Sequence, residues 1–134
     1  MKKIIIEQKL CALIFNSYDL KINKGIKFLT PNNTNLQLGI MHHQKGHEIA
    51  PHYHKAQKRI INKTTELLII KSGELQLDFY NKKSKKTKSI ILKKNTIAIL
   101  LDGTHGFKVN KKCNFLEIKQ GPYKKLEDKN HISI

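Results

Sequence analysis

Apolar residues in this chain come in short runs, each closed by glycine, asparagine or a lysine-rich stretch. LCALIF (10–15), GIKFLT (25–30), LQLGIM (36–41) and HEIAPHYH (47–54) occupy the first half. ELLIIK (66–71), LQLDFY (75–80), SIILK (89–93), TIAILL (96–101), HGFKV (105–109) and NFLEIKQ (114–120) follow. Several alternate apolar with polar positions, the period of a strand buried on one face. No long run repeats at helical spacing. KSGE, with Gly73 between two runs, reads as a tight hairpin, and YNKKSKKTK as a longer polar one. Many short strands at regular spacing predict an all-β sandwich or barrel rather than alternating strands and helices.

Length sets the domain count. The chain has 134 residues, enough for one domain with its own core. Residues 36–120 hold most of the strand signals and form the expected barrel core. Residues 1–35 would extend it or pack on it, and the polar stretch 121–134 reads as a loosely held tail. Hydrophobic residues make up 39% and aromatics 7%, with no tryptophan, so the core rests on Ile and Leu.

The formal charge is +16, from 26 basic and 10 acidic residues. Every basic residue but Arg59 is lysine. Readers of nucleic acid place arginine forks against guanine and phosphate. With no basic helix or aromatic platform beside the charge, nucleic acid is not the expected partner. A small anionic substrate suits this charge. Cys11 and Cys113 are far apart in sequence and fit no CxxC pattern; free thiols in a reducing cytoplasm are expected. The N-terminal apolar run is interrupted by Glu7, Gln8 and Lys9. No stretch has the length of a membrane span, and a cytoplasmic protein without membrane contact is expected.

The chemistry concentrates at four positions. His52 and His54 share a face if HYH is extended, and Pro51 before them favours extension. Glu66 would share its face with Leu68 and Ile70, where an unpaired carboxylate is costly unless a partner or cation meets it. His105 would share its face with Phe107 and Val109. Three imidazoles and a carboxylate suit Fe, Mn, Ni or Zn as divalent ions.

These residues resemble the cupin superfamily. Gly46, His52, His54, Glu66 and Gly73 follow the order of its first motif, with a longer stretch, KAQKRIINKTT, between His54 and Glu66 than the family has. KKNTIAILLDGTHGF is similar to the second motif, with Gly103 in place and His105 one residue early. The resemblance implies a single-domain jelly-roll β-barrel with His52, His54, Glu66 and His105 as metal ligands. It implies a small metalloenzyme of oxygenase, isomerase or lyase type acting on a small polar or anionic substrate, and a homodimer.

Two alternatives stay open. HYHKAQKR also resembles the His-x-His-Lys segment of metal-independent cupin-fold nucleotide-sugar isomerases, which would make His52 or His54 the catalytic proton-transfer base for a sugar-linked substrate. The second alternative is a non-enzymatic cupin that binds a metal or metabolite without turnover. His42, His43, His47, Glu117, Lys119, Tyr123, Lys58 and Arg59 are weaker candidates for lining a pocket. His131 in the tail is the weakest.

Overall fold

The computed structural model describes residues 1–124 and 129–133. The expected tail over 121–134 therefore lies partly outside the described residues. The protein is all-β and antiparallel. Its strands are β1 (Lys2–Ile6), β2 (Lys9–Asn16), β3 (Gly25–Phe28), β4 (Gly39–His42), β5 (Glu66–Tyr80), β6 (Lys86–Lys93), β7 (Thr96–Leu100) and β8 (Thr104–Lys119). β1 was not foreseen: three consecutive isoleucines lack the alternation of a half-buried strand, yet Ile4 is fully buried.

Six strands make one sheet in the order β1-β2-β7-β5-β6, with β8 on the other edge of β5. β3 and β4 form a separate pair, which straddles the expected boundary at residue 35. Among the described residues the main sheet is not closed into a barrel: β1 pairs only with β2, and β6 and β8 pair only with β5.

The expected hairpin at Gly73 does not form. ELLIIK and LQLDFY belong to one strand, β5, and HGFKV and NFLEIKQ belong to one strand, β8, which pairs along its whole length. What the turn signal marks is a corner. The register between β5 and β8 shifts at Ile70/Ser72, Ser72/Glu74 and Glu74/Leu75, and bulges of this kind bend a ribbon without breaking its pairing. Gly73 sits there at φ +80, and a Cβ on it would meet the Lys112 carbonyl oxygen at 2.0 Å. Only glycine fits both the left-handed backbone and the close approach.

The corner decides what meets what. Leu68 and Ile70 before it, and Leu75, Leu77 and Phe79 after it, lie in one buried cluster with Ile4, Cys11, Ala12, Leu92, Ala98 and Leu100. The face changes parity across the bulges, so the apolar positions on both arms of β5 reach one interior. Each such aliphatic side chain contributes roughly 1.5–3 kcal/mol through burial. The opposite face of the sheet forms a second cluster from Leu13, Phe15, Leu67 and Ile99, packed by Leu20, Leu29, Leu36 and Leu38. The long polar hairpin is present as expected: Asn81 Oδ1 accepts from the Lys83 and Lys85 amides and shapes the turn from β5 to β6.

The segment HEIAPHYH is not a strand. Residues 43–65 contain no helix or strand, and residues 44–64 are all exposed. An extended segment needs a neighbour to take up its backbone N–H and C=O groups, and among the described residues no strand pairs with this one. Pro51 and five cations (Lys45, Lys55, Lys58, Arg59 and Lys63) against Glu48 do not favour collapse onto the sheet.

Candidate functional site

Glu66 opens β5 and His105 follows the start of β8. In the ladder Glu66 stands opposite Lys119 and Leu100, while His105 stands opposite Phe79, thirteen positions further along β5. A flat ribbon would hold those positions about 43 Å apart. Curling at the corner brings them together: His105 Nε2 lies 3.1 Å from Glu66 Oε2. Glu66 is 7% exposed, and the His105 side chain 24%.

The imidazole is held on its other side as well, with Nδ1 3.2 Å from the Gly103 carbonyl oxygen. Its ring packs edge-on against Phe107, with centroids 5.4 Å apart. Both ring nitrogens thus face oxygen atoms, the Glu66 carboxylate on one side and the Gly103 carbonyl on the other. The hydrogen bond from His105 is the main reason the Glu66 carboxyl stays below its ordinary range; burial opposes this, and Lys129 and Lys119 support it.

The turn that aims His105 depends on Gly103. Its φ is +88, and a Cβ there would meet Cys11 Sγ at 2.9 Å. Asp102 closes the turn by accepting from the Gly103 amide at 2.7 Å and from Lys63 Nζ. Burial pushes the Asp102 carboxyl up, but these two donors outweigh it and leave it below its ordinary value.

His52 and His54 are elsewhere. Their rings stand edge to face, 5.3 Å between centroids, on the exposed irregular segment, and His52 Nδ1 contacts the Ala50 carbonyl at 2.9 Å. The expected four-residue set is thus split into two pairs. Among the described residues, no group of three or more His, Cys, Asp and Glu side chains is placed to hold a metal ion.

The Glu66–His105 half has the features of a ligand pair. The 3.1 Å contact is a hydrogen-bonded ion pair, and two octahedral ligands at right angles, each about 2.1 Å from one ion, would lie at a similar spacing of about 3.0 Å. A histidine ligand also commonly donates its second ring nitrogen to a backbone carbonyl, as Nδ1 does to Gly103. The His52–His54 half does not join it, so the set as placed does not fit a metal.

Two clefts meet at His105. One, of about 530 Å³, is lined by Glu66, Thr104, His105, Phe107, Lys129 and His131. Sequence reasoning set His131 and its surroundings aside as tail, because nothing in a polar stretch shows where it docks. The other cleft, of about 390 Å³, is lined by Lys9, Cys11, Lys63, Tyr80, Lys82 and His105 among others. The remaining candidates lie apart. His43 stacks on His47 with centroids 4.1 Å apart, Lys58 and Arg59 are exposed on the irregular segment, and Lys119 sits 4.5 Å over the Tyr123 ring. Cys11 is buried and Cys113 half-buried, both as free thiols. No helix among the described residues is long and apolar enough to cross a membrane.

Comparison with known proteins adds no relative: no family model, no curated protein and no solved structure matches the chain.

Proposed function

We propose that this chain is a cupin-type protein that binds a divalent transition metal (Fe, Mn, Ni or Zn) through Glu66 and His105, with His52 and His54 brought to them from the 43–65 segment. In this reading the curled sheet is an open relative of the jelly roll, and the protein acts on a small polar or anionic substrate. The observation that carries it is the 3.1 Å separation of Glu66 Oε2 and His105 Nε2, with Nδ1 anchored on Gly103. The irregular segment supports it further. Ile49, Tyr53, Ile60 and Ile61 lie exposed there, Tyr53 at 84%, and large apolar side chains gain by docking. A bound metal would supply Lewis-acid polarisation of substrate oxygens. The chain's own part is to hold a carboxylate and an imidazole at a fixed spacing and to surround the opening with cations.

The test is elemental analysis of untagged protein purified anaerobically without chelator, beside Glu66→Gln, His52→Ala and His42→Ala. Near-stoichiometric metal in the wild type and His42→Ala is expected, with less than about a tenth of it in the other two. A metal-free wild type, or equal content in all four, overturns the reading.

A second reading rests on the direct hydrogen bond in the same pair. Without a metal, His105 backed by Glu66 is the better placed proton-transfer base, and a carbohydrate or nucleotide-sugar isomerase or epimerase follows. The bases expected for it, His52 and His54, lie on the exposed segment.

A further inference from the structure

The cleft at His105 that Glu66 does not line is walled by cations from three separate parts of the chain. Lys9 comes from the start of β2, Lys63 from the end of the irregular segment, and Lys82 from the turn between β5 and β6. Local structure fixes the backbone that carries each. Glu7 and Gln8 adopt left-handed backbone, φ 47 and 65, which turns β1 back into β2 at Lys9. The Asn81 side chain accepts two amide hydrogens and shapes the turn carrying Lys82. Asp102 holds Lys63.

The acids on this wall are Glu7 and Asp102. Asp102 is already engaged by Lys63 and the Gly103 amide. That leaves Lys9 and Lys82 facing the cleft with Glu7 as the remaining opposing charge. Thr64 and Thr104 add hydroxyl groups, and Thr64, Gly103, Thr104 and His105 line this cleft and the Glu66 cleft alike. The volume of about 390 Å³ falls within the usual span of small-molecule sites, roughly 300–1,000 Å³.

The type of cation narrows the ligand. The cations of the lining are all lysines. Ammonium groups act as point charges that can approach a tetrahedral oxyanion from several sides. We propose that this cleft is a phosphate subsite, in which Lys9 and Lys82 hold the phosphate or diphosphate of a phosphorylated substrate whose other end reaches His105. The subsite rests on the function proposed above only for that reacting end; phosphate binding itself needs neither Glu66 nor a metal.

The experiment is calorimetric titration of inorganic pyrophosphate into metal-stripped, chelator-free full-length chain, with succinate as the carboxylate comparison. Lys9→Ala, Lys82→Ala, Glu66→Gln and Lys27→Ala are titrated in parallel. Lys27 lies on β3, outside this cleft. Pyrophosphate is expected to bind at least about tenfold more tightly than succinate. Lys9→Ala and Lys82→Ala should each weaken it by about tenfold, as loss of one charged hydrogen bond does, while Glu66→Gln and Lys27→Ala leave it unchanged. Equal weakening by Lys27→Ala would mean diffuse attraction to a basic protein and overturns the subsite. So does absence of binding at millimolar pyrophosphate, or succinate binding as tightly. Loss only in Glu66→Gln would move the anion to the Glu66–His105 pair, overturning the subsite and leaving the proposed function standing. Intact lysine-dependent binding in a chain that never holds metal would do the reverse.

Discussion

At the scale of single residues, the groups that define the site are charged groups taken out of water and satisfied by one or two neighbours. Glu66 is held below its ordinary carboxyl range by the His105 hydrogen bond, against the opposing effect of burial. A depressed folded-state value means stability that is present above the unfolded pKa of about 4.3 and lost as pH falls through the folded value. Chemical denaturation of wild type and Glu66→Gln should therefore show a stability difference that shrinks as pH falls from about 6 to about 3. A difference independent of pH would mean that the pair does not form in solution. Asp78 poses the same problem on the other face of β5. Burial pushes its carboxyl up, and hydrogen bonds from Ser89, Lys86 and Gln76 outweigh that effect. Asp78→Ala leaves those donors without their acceptor and should cost about 1–3 kcal/mol, read as a lower denaturant midpoint.

At the scale of elements, the corner in β5 is the feature on which the site depends. Gly73 combines positive φ with a 2.0 Å approach of its Cβ position to the Lys112 carbonyl. Gly73→Ala should destabilise by at least about 2 kcal/mol, a fall in Tm of roughly 5–10 °C. Because the corner also brings Glu66 to His105, the variant should lose the pH dependence of that pair as well. A variant that melts like wild type would mean that the ribbon bends elsewhere. Strand positions were legible in the sequence because alternation records which face is buried: Glu66, Leu68 and Ile70 do share an inward face, and the last two lie in the core. Continuity was not legible. Gly73 carries the same local signal for a hairpin and for a bulged corner, and the choice is made by β8, which pairs across it from more than thirty residues away. The HYH strand failed for a related reason. Proline and alternation favour an extended backbone, but a strand also needs a partner edge, and among the described residues none pairs with residues 47–54.

At the scale of the whole molecule, two incomplete features point to one another. The inner face of the sheet is left partly uncovered along β8, where Phe107 and Val109 are exposed beside His105. The 43–65 segment carries exposed Ile49, Tyr53, Ile60 and Ile61 together with His52 and His54. The pairing of Glu66 with His105 was expected from the resemblance alone, because the corner that brings them together has no local signal that separates it from a hairpin. The His52–His54 half depends on docking, to which a pattern of types and spacings is blind. The proposed metal links the halves: an ion that binds only the docked arrangement stabilises it in proportion to its concentration above its dissociation constant. The segment contains Lys55, Lys58 and Arg59, all exposed, so trypsin reports directly on docking. Metal-stripped chain should be cut there first, before the strands. Adding one equivalent of Mn, Fe, Ni or Zn under anaerobic conditions should slow that cleavage by at least about tenfold, as expected when opening is coupled to metal release. Glu66→Gln should be cut at the unprotected rate with or without metal. Protection that persists in Glu66→Gln would place the ion on the histidines of the segment alone. Cleavage unaffected by any of the four ions would leave His105 and Glu66 as a proton-transfer pair with the segment standing apart.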